Sequence, residues 1–108
     1  SLLDWTYQDR VEFGFSVDNL EWSDNGKLLT AGHPKAFDFL AHVDNPLNVS
    51  SSEVASINVA GKTMQAETIY RNDGEALSGA SVAVQLGETV LIGPVLDTHI
   101  LRCQVKKP

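Results

Sequence analysis

Three side chains in the first third of the chain have the chemistry of a reactive site. Asp18 and Asn19 are adjacent oxygen donors, and His33 stands between a glycine and a proline. Carboxylate and amide oxygens are ligands that Ca²⁺ prefers, and an imidazole can move a proton near neutral pH. These residue types equally suit turns, because Asx side chains often bond nearby backbone amides ahead of a strand. The pattern therefore predicts either a metal and proton-transfer site or a set of turn residues.

The segment that carries these residues predicts a β-hairpin. Apolar runs at residues 17–22 and 27–31 flank a turn at residues 23–26, which reads Ser-Asp-Asn-Gly. Asn-Gly between two apolar runs is a strong hairpin signal. Since the strands of a hairpin run side by side, the oxygen donors near the start of the first strand and the histidine at the end of the second should meet at one end of a sheet.

A regular strand would separate Asp18 from Asn19, because adjacent side chains point to opposite faces. Both can reach one ion only where the chain bends on entering the strand. Gly14 and Ser16, just upstream, provide residue types for such a bend.

The remaining sequence is dominated by strand signals, with β-branched or alternating apolar residues bounded by turns. One segment differs, since residues 34–43 begin with Pro34 and space their apolar residues as in a short helix. Phe37 and Phe39 would equally alternate in a strand, and we favour the helix. The fold class predicted is mainly β and antiparallel. The predicted strands cover residues 10–15, 17–22, 27–31, 54–59, 64–70, 80–86, 89–94 and 98–105.

Composition excludes several classes of function. The 108 residues are 43% hydrophobic, enough for one core, and their net charge of −6 disfavours nucleic acid as a partner. We expect no membrane span, because no apolar run approaches the necessary length. The sequence lacks the G-x-S-x-G, P-loop, H-E-x-x-H and CxxC motifs. We expect His42 and His99, which match no motif, to be surface or half-buried residues.

The V-D-N and G-H-P signatures of residues 17–34 resemble the last full blade of the paraoxonase/arylesterase family. Residues 69–83 and 90–95 are similar to its closing region, and residues 101–103 to its terminal strand. The resemblance implies antiparallel four-stranded blades, about two blades of a six-bladed β-propeller. A complete propeller needs about three times this length, so we expect the chain to be a C-terminal portion. The implied division is residues 1–16 as the end of a preceding blade, 17–73 as one blade and 74–108 as a partial closing blade.

The same resemblance assigns roles to the three side chains. It implies that Asp18 and Asn19 bind the central calcium, and that His33 lines the active-site rim as a catalytic residue. It also implies that the other calcium ligands and a catalytic histidine dyad lie in earlier blades. Cys103 occupies the position of a family cysteine that pairs with one near the N-terminus; its other interpretation is an unpaired core cysteine.

Two functions follow as expectations. The first is a fragment or subunit of a calcium-dependent hydrolase of small esters or lactones, with little activity alone. The alternative is a non-catalytic, self-associating binding or structural module derived from a propeller, because a partial propeller exposes strand edges and apolar faces that missing blades would cover.

Overall fold

The computed structural model describes residues 5–34, 36–45 and 47–105. Within these residues, seven antiparallel strands form two sheets, and one short helix connects the second strand to the third. The elements are β1 (Ser16–Trp22), β2 (Leu28–His33), α1 (Ala36–Asp44), β3 (Ser52–Asn58), β4 (Gln65–Asn72), β5 (Ala80–Leu86), β6 (Thr89–Pro94) and β7 (Leu101–Gln104). The predicted mainly β, antiparallel class and the helix near residues 34–43 are confirmed.

The two sheets follow chain order. The first is four-stranded, β1-β2-β3-β4, and the second is three-stranded, β5-β6-β7. The division into blades at residues 1–16, 17–73 and 74–108 stays a prediction, as does the propeller; residues 1–4 and 106–108 lie outside the described residues. No helix in the described part of the chain is long and apolar enough to cross a membrane.

Glycines with a positive φ close two of the hairpin turns. Gly26 closes the β1–β2 turn with a φ of 82°, and Gly87 closes the β5–β6 turn with a φ of 61°; glycine adopts this left-handed conformation without steric cost. A hydrogen bond connects the two turns, because the Gly87 amide donates to Asp24 Oδ2 at 2.8 Å. The tips of the two sheets are therefore joined.

The core lies between the sheets. The first sheet contributes Leu29, Ala31 and Val54, and the second contributes apolar residues of β5 and β6. A buried hydroxyl also bridges them, because Ser52 Oγ donates to the Leu77 carbonyl at 2.7 Å and accepts from the Ala80 amide at 3.0 Å. Cys103 is an unpaired, half-buried cysteine beside this core.

The predicted strand at residues 10–15 is wrong. These residues form no strand, and the chain bends at Gly14 and Phe15 before β1 begins. Their apolar alternation serves another contact, since the Phe13 and Phe15 rings pack edge to face at 5.4 Å and Phe15 is buried. Side-chain packing, not strand pairing, explains the pattern.

Candidate functional site at the end of the first hairpin

A β-bulge places the oxygen donors. In the β1–β2 register Val17 pairs with Gly32 and Leu20 pairs with Thr30, so Asp18 and Asn19 share the space opposite one residue. A bulge of this kind changes the direction of side chains that a regular strand would alternate. The buried Thr30 hydroxyl holds the bulge by donating to the Asn19 carbonyl at 2.8 Å.

Both donors meet Ser81 on β5. The Ser81 hydroxyl donates to Asp18 Oδ2 at 2.8 Å, and Asn19 Nδ2 donates to Ser81 Oγ at 2.8 Å and to its carbonyl at 3.2 Å. This network orients the amide, because its nitrogen must face the serine. Asp18 Oδ1 and Asn19 Oδ1 stay outside it. Both side chains belong to exposed residues of β1.

His33 is the last residue of β2 and pairs with Ser16, so it lies at the same end of the sheet as Asp18 and Asn19. Its half-buried ring has a pKa below the ordinary value, because desolvation outweighs the opposing effects of the Asp18 carboxylate and a hydrogen bond with the Ala80 backbone. The ring is therefore neutral at pH 7 and has a basic nitrogen. The structure brings Asp18, Asn19 and His33 to the first residues of β5.

The donor set fits a hard cation in type but is incomplete in number. Calcium takes six to eight oxygen ligands, and Asp18 and Asn19 provide side-chain oxygens of the preferred kinds. Within residues 5–34, 36–45 and 47–105, no three His, Cys, Asp or Glu side chains come together as a metal-binding group. Further ligands would have to come from backbone carbonyls, water or residues outside this set.

Sequence reasoning missed Ser81. It lies about sixty residues from its partners, and the hydrogen bonds form only because the two sheets pack face to face. A serine near the start of a predicted strand carries no local signal for such a role.

The expectation for His42 is wrong, because the ring is completely buried. Its Nδ1 lies 2.7 Å from the Asn48 carbonyl, and its Nε2 lies 3.6 Å from Asp97 Oδ1. The last turn of α1 thereby contacts the loop that follows it and the loop between β6 and β7. His99 is exposed, with Nε2 2.7 Å from the Ala76 carbonyl.

The fold and this site define a class of mainly β proteins in which one sheet end presents a carboxylate and an amide beside a desolvated histidine. The family description that matches the chain is Arylesterase, over residues 3–105. Human serum paraoxonase/lactonase 3 is 35% identical over 104 residues, covering 94% of this chain and 28% of the relative. Bovine (Bos taurus) serum paraoxonase/arylesterase 2 is 34% identical over 91 residues, covering 82% of this chain and 25% of the relative.

A third relative is rabbit (Oryctolagus cuniculus) serum paraoxonase/lactonase 3, 36% identical over 81 residues, 73% of this chain and 22% of the relative. The chain belongs to the Arylesterase family. It spans about a quarter of the length of the curated relatives that it matches.

Proposed function

We propose that the chain supplies the C-terminal part of a calcium-dependent hydrolase that cleaves small esters or lactones. The observation that carries the proposal is the convergence of Asp18, Asn19 and His33 on β5 in a chain of this family. The relatives' names, paraoxonase, lactonase and arylesterase, support the reaction class. The remaining catalytic groups and metal ligands would come from residues outside this chain, so hydrolysis by the chain alone should be slow.

Asp18 and Asn19 would hold the calcium through their Oδ1 atoms. A bound calcium supplies an electrophile that polarises the carbonyl of an ester or lactone. Ser81 acts as a positioning residue, because its hydroxyl and carbonyl fix both side chains before any ion arrives. Preorganisation of this kind lowers the cost of binding.

His33 would either accept a proton from the attacking water or orient the substrate. A neutral imidazole can accept a proton from water. An imidazole ring that is desolvated and close to a carboxylate also keeps a defined orientation. The His33 ring meets these conditions through its lowered pKa and its proximity to Asp18. His33 would therefore serve as a base or as a substrate-orienting group at the edge of the pocket.

The alternative is a self-associating, non-catalytic module. It is favoured by the exposed apolar side chains of β1, where Leu20 and Trp22 are 58% and 61% exposed. Exposed apolar faces of this kind commonly mark interaction surfaces. Sedimentation velocity separates the two functions when it is run with the calcium experiment: a concentration-dependent oligomer that is indifferent to calcium favours the module.

The direct test is a calcium titration of the chain followed by heteronuclear NMR, which detects millimolar binding and needs no turnover. Saturable shifts should appear at Asp18, Asn19 and Ser81. Asp18→Ala should abolish them, whereas Asp44→Ala, which removes the same charge from an exposed position, should leave them unchanged. Calcium-dependent shifts that persist in Asp18→Ala, or none at these residues, would refute the metal assignment.

A further inference from the structure

A second feature lies at the same end of the first sheet as His33. An open cavity of about 510 Å³ is lined by Pro34, which follows His33 directly, and by Ser51, Glu53, Arg71 and Asn72. Most of its exposed wall is carbon, although Pro34 alone among the lining residues has an apolar side chain. Asp73 and Gly14 complete the lining, so the cavity combines space for a small organic molecule with one arginine and two carboxylates.

The cavity contains a buried carboxylate with defined partners. Glu53 is 3% exposed and lies between Gly32 on β2 and Arg71 on β4 in the strand register. Its Oε2 accepts from the Thr68 hydroxyl at 2.8 Å, and its Oε1 accepts from Arg71 Nε at 2.9 Å. Since a buried charge is costly without such partners, Glu53 acts as an anchor that holds the arginine.

The anchor leaves the rest of the guanidinium for another partner. The contact uses Nε, so Nη1 and Nη2 keep four N–H donors that have no hydrogen-bond partner among the described residues, on a side chain that is 66% exposed. A guanidinium in this position presents a planar fork that matches the two oxygens of a carboxylate. Two neighbouring polar side chains are already engaged, because Asn72 Oδ1 accepts from the Gly74 amide and Asp73 Oδ1 accepts from the Glu75 amide.

We infer that Arg71 and this cavity select ester or lactone substrates that carry a free carboxylate on an apolar body. The apolar wall favours an organic acid over an inorganic anion. A monoanion also fits better than a phosphate dianion, because Glu53 and Asp73 are close by and like charges repel. The substrate class rests on the proposed hydrolase function, whereas recognition of the carboxylate depends only on the cavity.

The test compares two ligands by NMR titration of the chain without calcium. Monomethyl terephthalate is an ester with a free carboxylate, and methyl benzoate is a similar ester without one. The acid should shift the Arg71 side-chain signals and bind about tenfold or more tightly than methyl benzoate. The preference should be lost in Arg71→Gln but kept in Arg102→Gln, which removes the same charge from an exposed position on β7.

Arg71→Lys keeps a positive charge but lacks the fork, so it should lose most of the preference while retaining the fold. Equal binding of the two ligands by the unaltered chain, an undiminished preference in Arg71→Lys, or an equal loss in Arg102→Gln would overturn the inference. The result is separate from the calcium test. A chain that binds the acid but no calcium disproves the metal site alone, and one that binds calcium but not the acid disproves this inference alone.

Discussion

Gly32 is the position at which the close packing around the candidate site can be tested most directly. A Cβ added there would lie 1.8 Å from the Ser16 carbonyl oxygen and 2.8 Å from Phe15 Cδ2. The phenyl ring could rotate, but the carbonyl belongs to the backbone of β1 and could only move with the strand. Gly32→Ala should therefore force β1 away from β2 next to the bulge that holds Asp18 and Asn19.

The expected cost follows from the nature of this clash. Overpacking usually costs about 1–3 kcal/mol, and a clash with backbone belongs at the upper end, so we expect a loss of about 3 kcal/mol in the free energy of unfolding. For a domain of about this size, 1 kcal/mol corresponds to about 4–8 °C in Tm. The Tm of Gly32→Ala should therefore fall by about 12–24 °C.

Thermal and urea unfolding followed by circular dichroism measure this loss. Gly14→Ala is the matched control, because a Cβ there would meet no atom within 4 Å, and its stability should change by less than about 0.5 kcal/mol. If Gly32→Ala were as stable as Gly14→Ala, the close approach of β1 to Gly32 would be wrong, and so would the site geometry that depends on it.

Two further predictions concern the site and the junction of the sheets. In chelator, the NMR titration of His33 should give a pKa below the ordinary 6.5, and lower still in Asp18→Asn, because the carboxylate raises it. The folded state resists protonation of His33. Its contribution to stability should therefore be complete above about pH 6.5 and decline as the pH falls toward the folded-state pKa. A measured pKa at or above 6.5 would contradict this prediction. Ser52→Ala should cost about 2–4 kcal/mol in urea unfolding, because it leaves two buried backbone groups unpaired. Ser51→Ala, whose buried hydroxyl has no partner within the described residues, should cost much less, and equal losses would contradict the bridging role.

Local signals predicted much of the fold because the hairpins are local structures. Alternation and Asn-Gly located β1 and β2, and Gly87 separated β5 from β6. The same rule failed at residues 10–15, where alternating apolar residues pack without a partner strand. Alternation reports which side chains are buried, whereas a strand also needs a neighbour for its backbone hydrogen bonds.

The candidate site was likewise predictable only where its geometry depends on local structure. The hairpin determines that Asp18, Asn19 and His33 lie near one sheet end, and this was predictable from the sequence. Ser81 and the buried state of His42 were not, since both depend on contacts between segments distant in the chain. No periodicity encodes which loop will cover a histidine or which strand will present a hydroxyl.

The site is shared between the two sheets, so its geometry depends on how they are joined. Ser52 on the first sheet binds the amide of Ala80, and the next residue, Ser81, orients Asp18 and Asn19. The Ala80 backbone also contributes to the environment of His33. A single buried hydroxyl thus positions the segment of β5 that all three candidate side chains contact. Loss of that hydroxyl should therefore disturb the site as well as the stability.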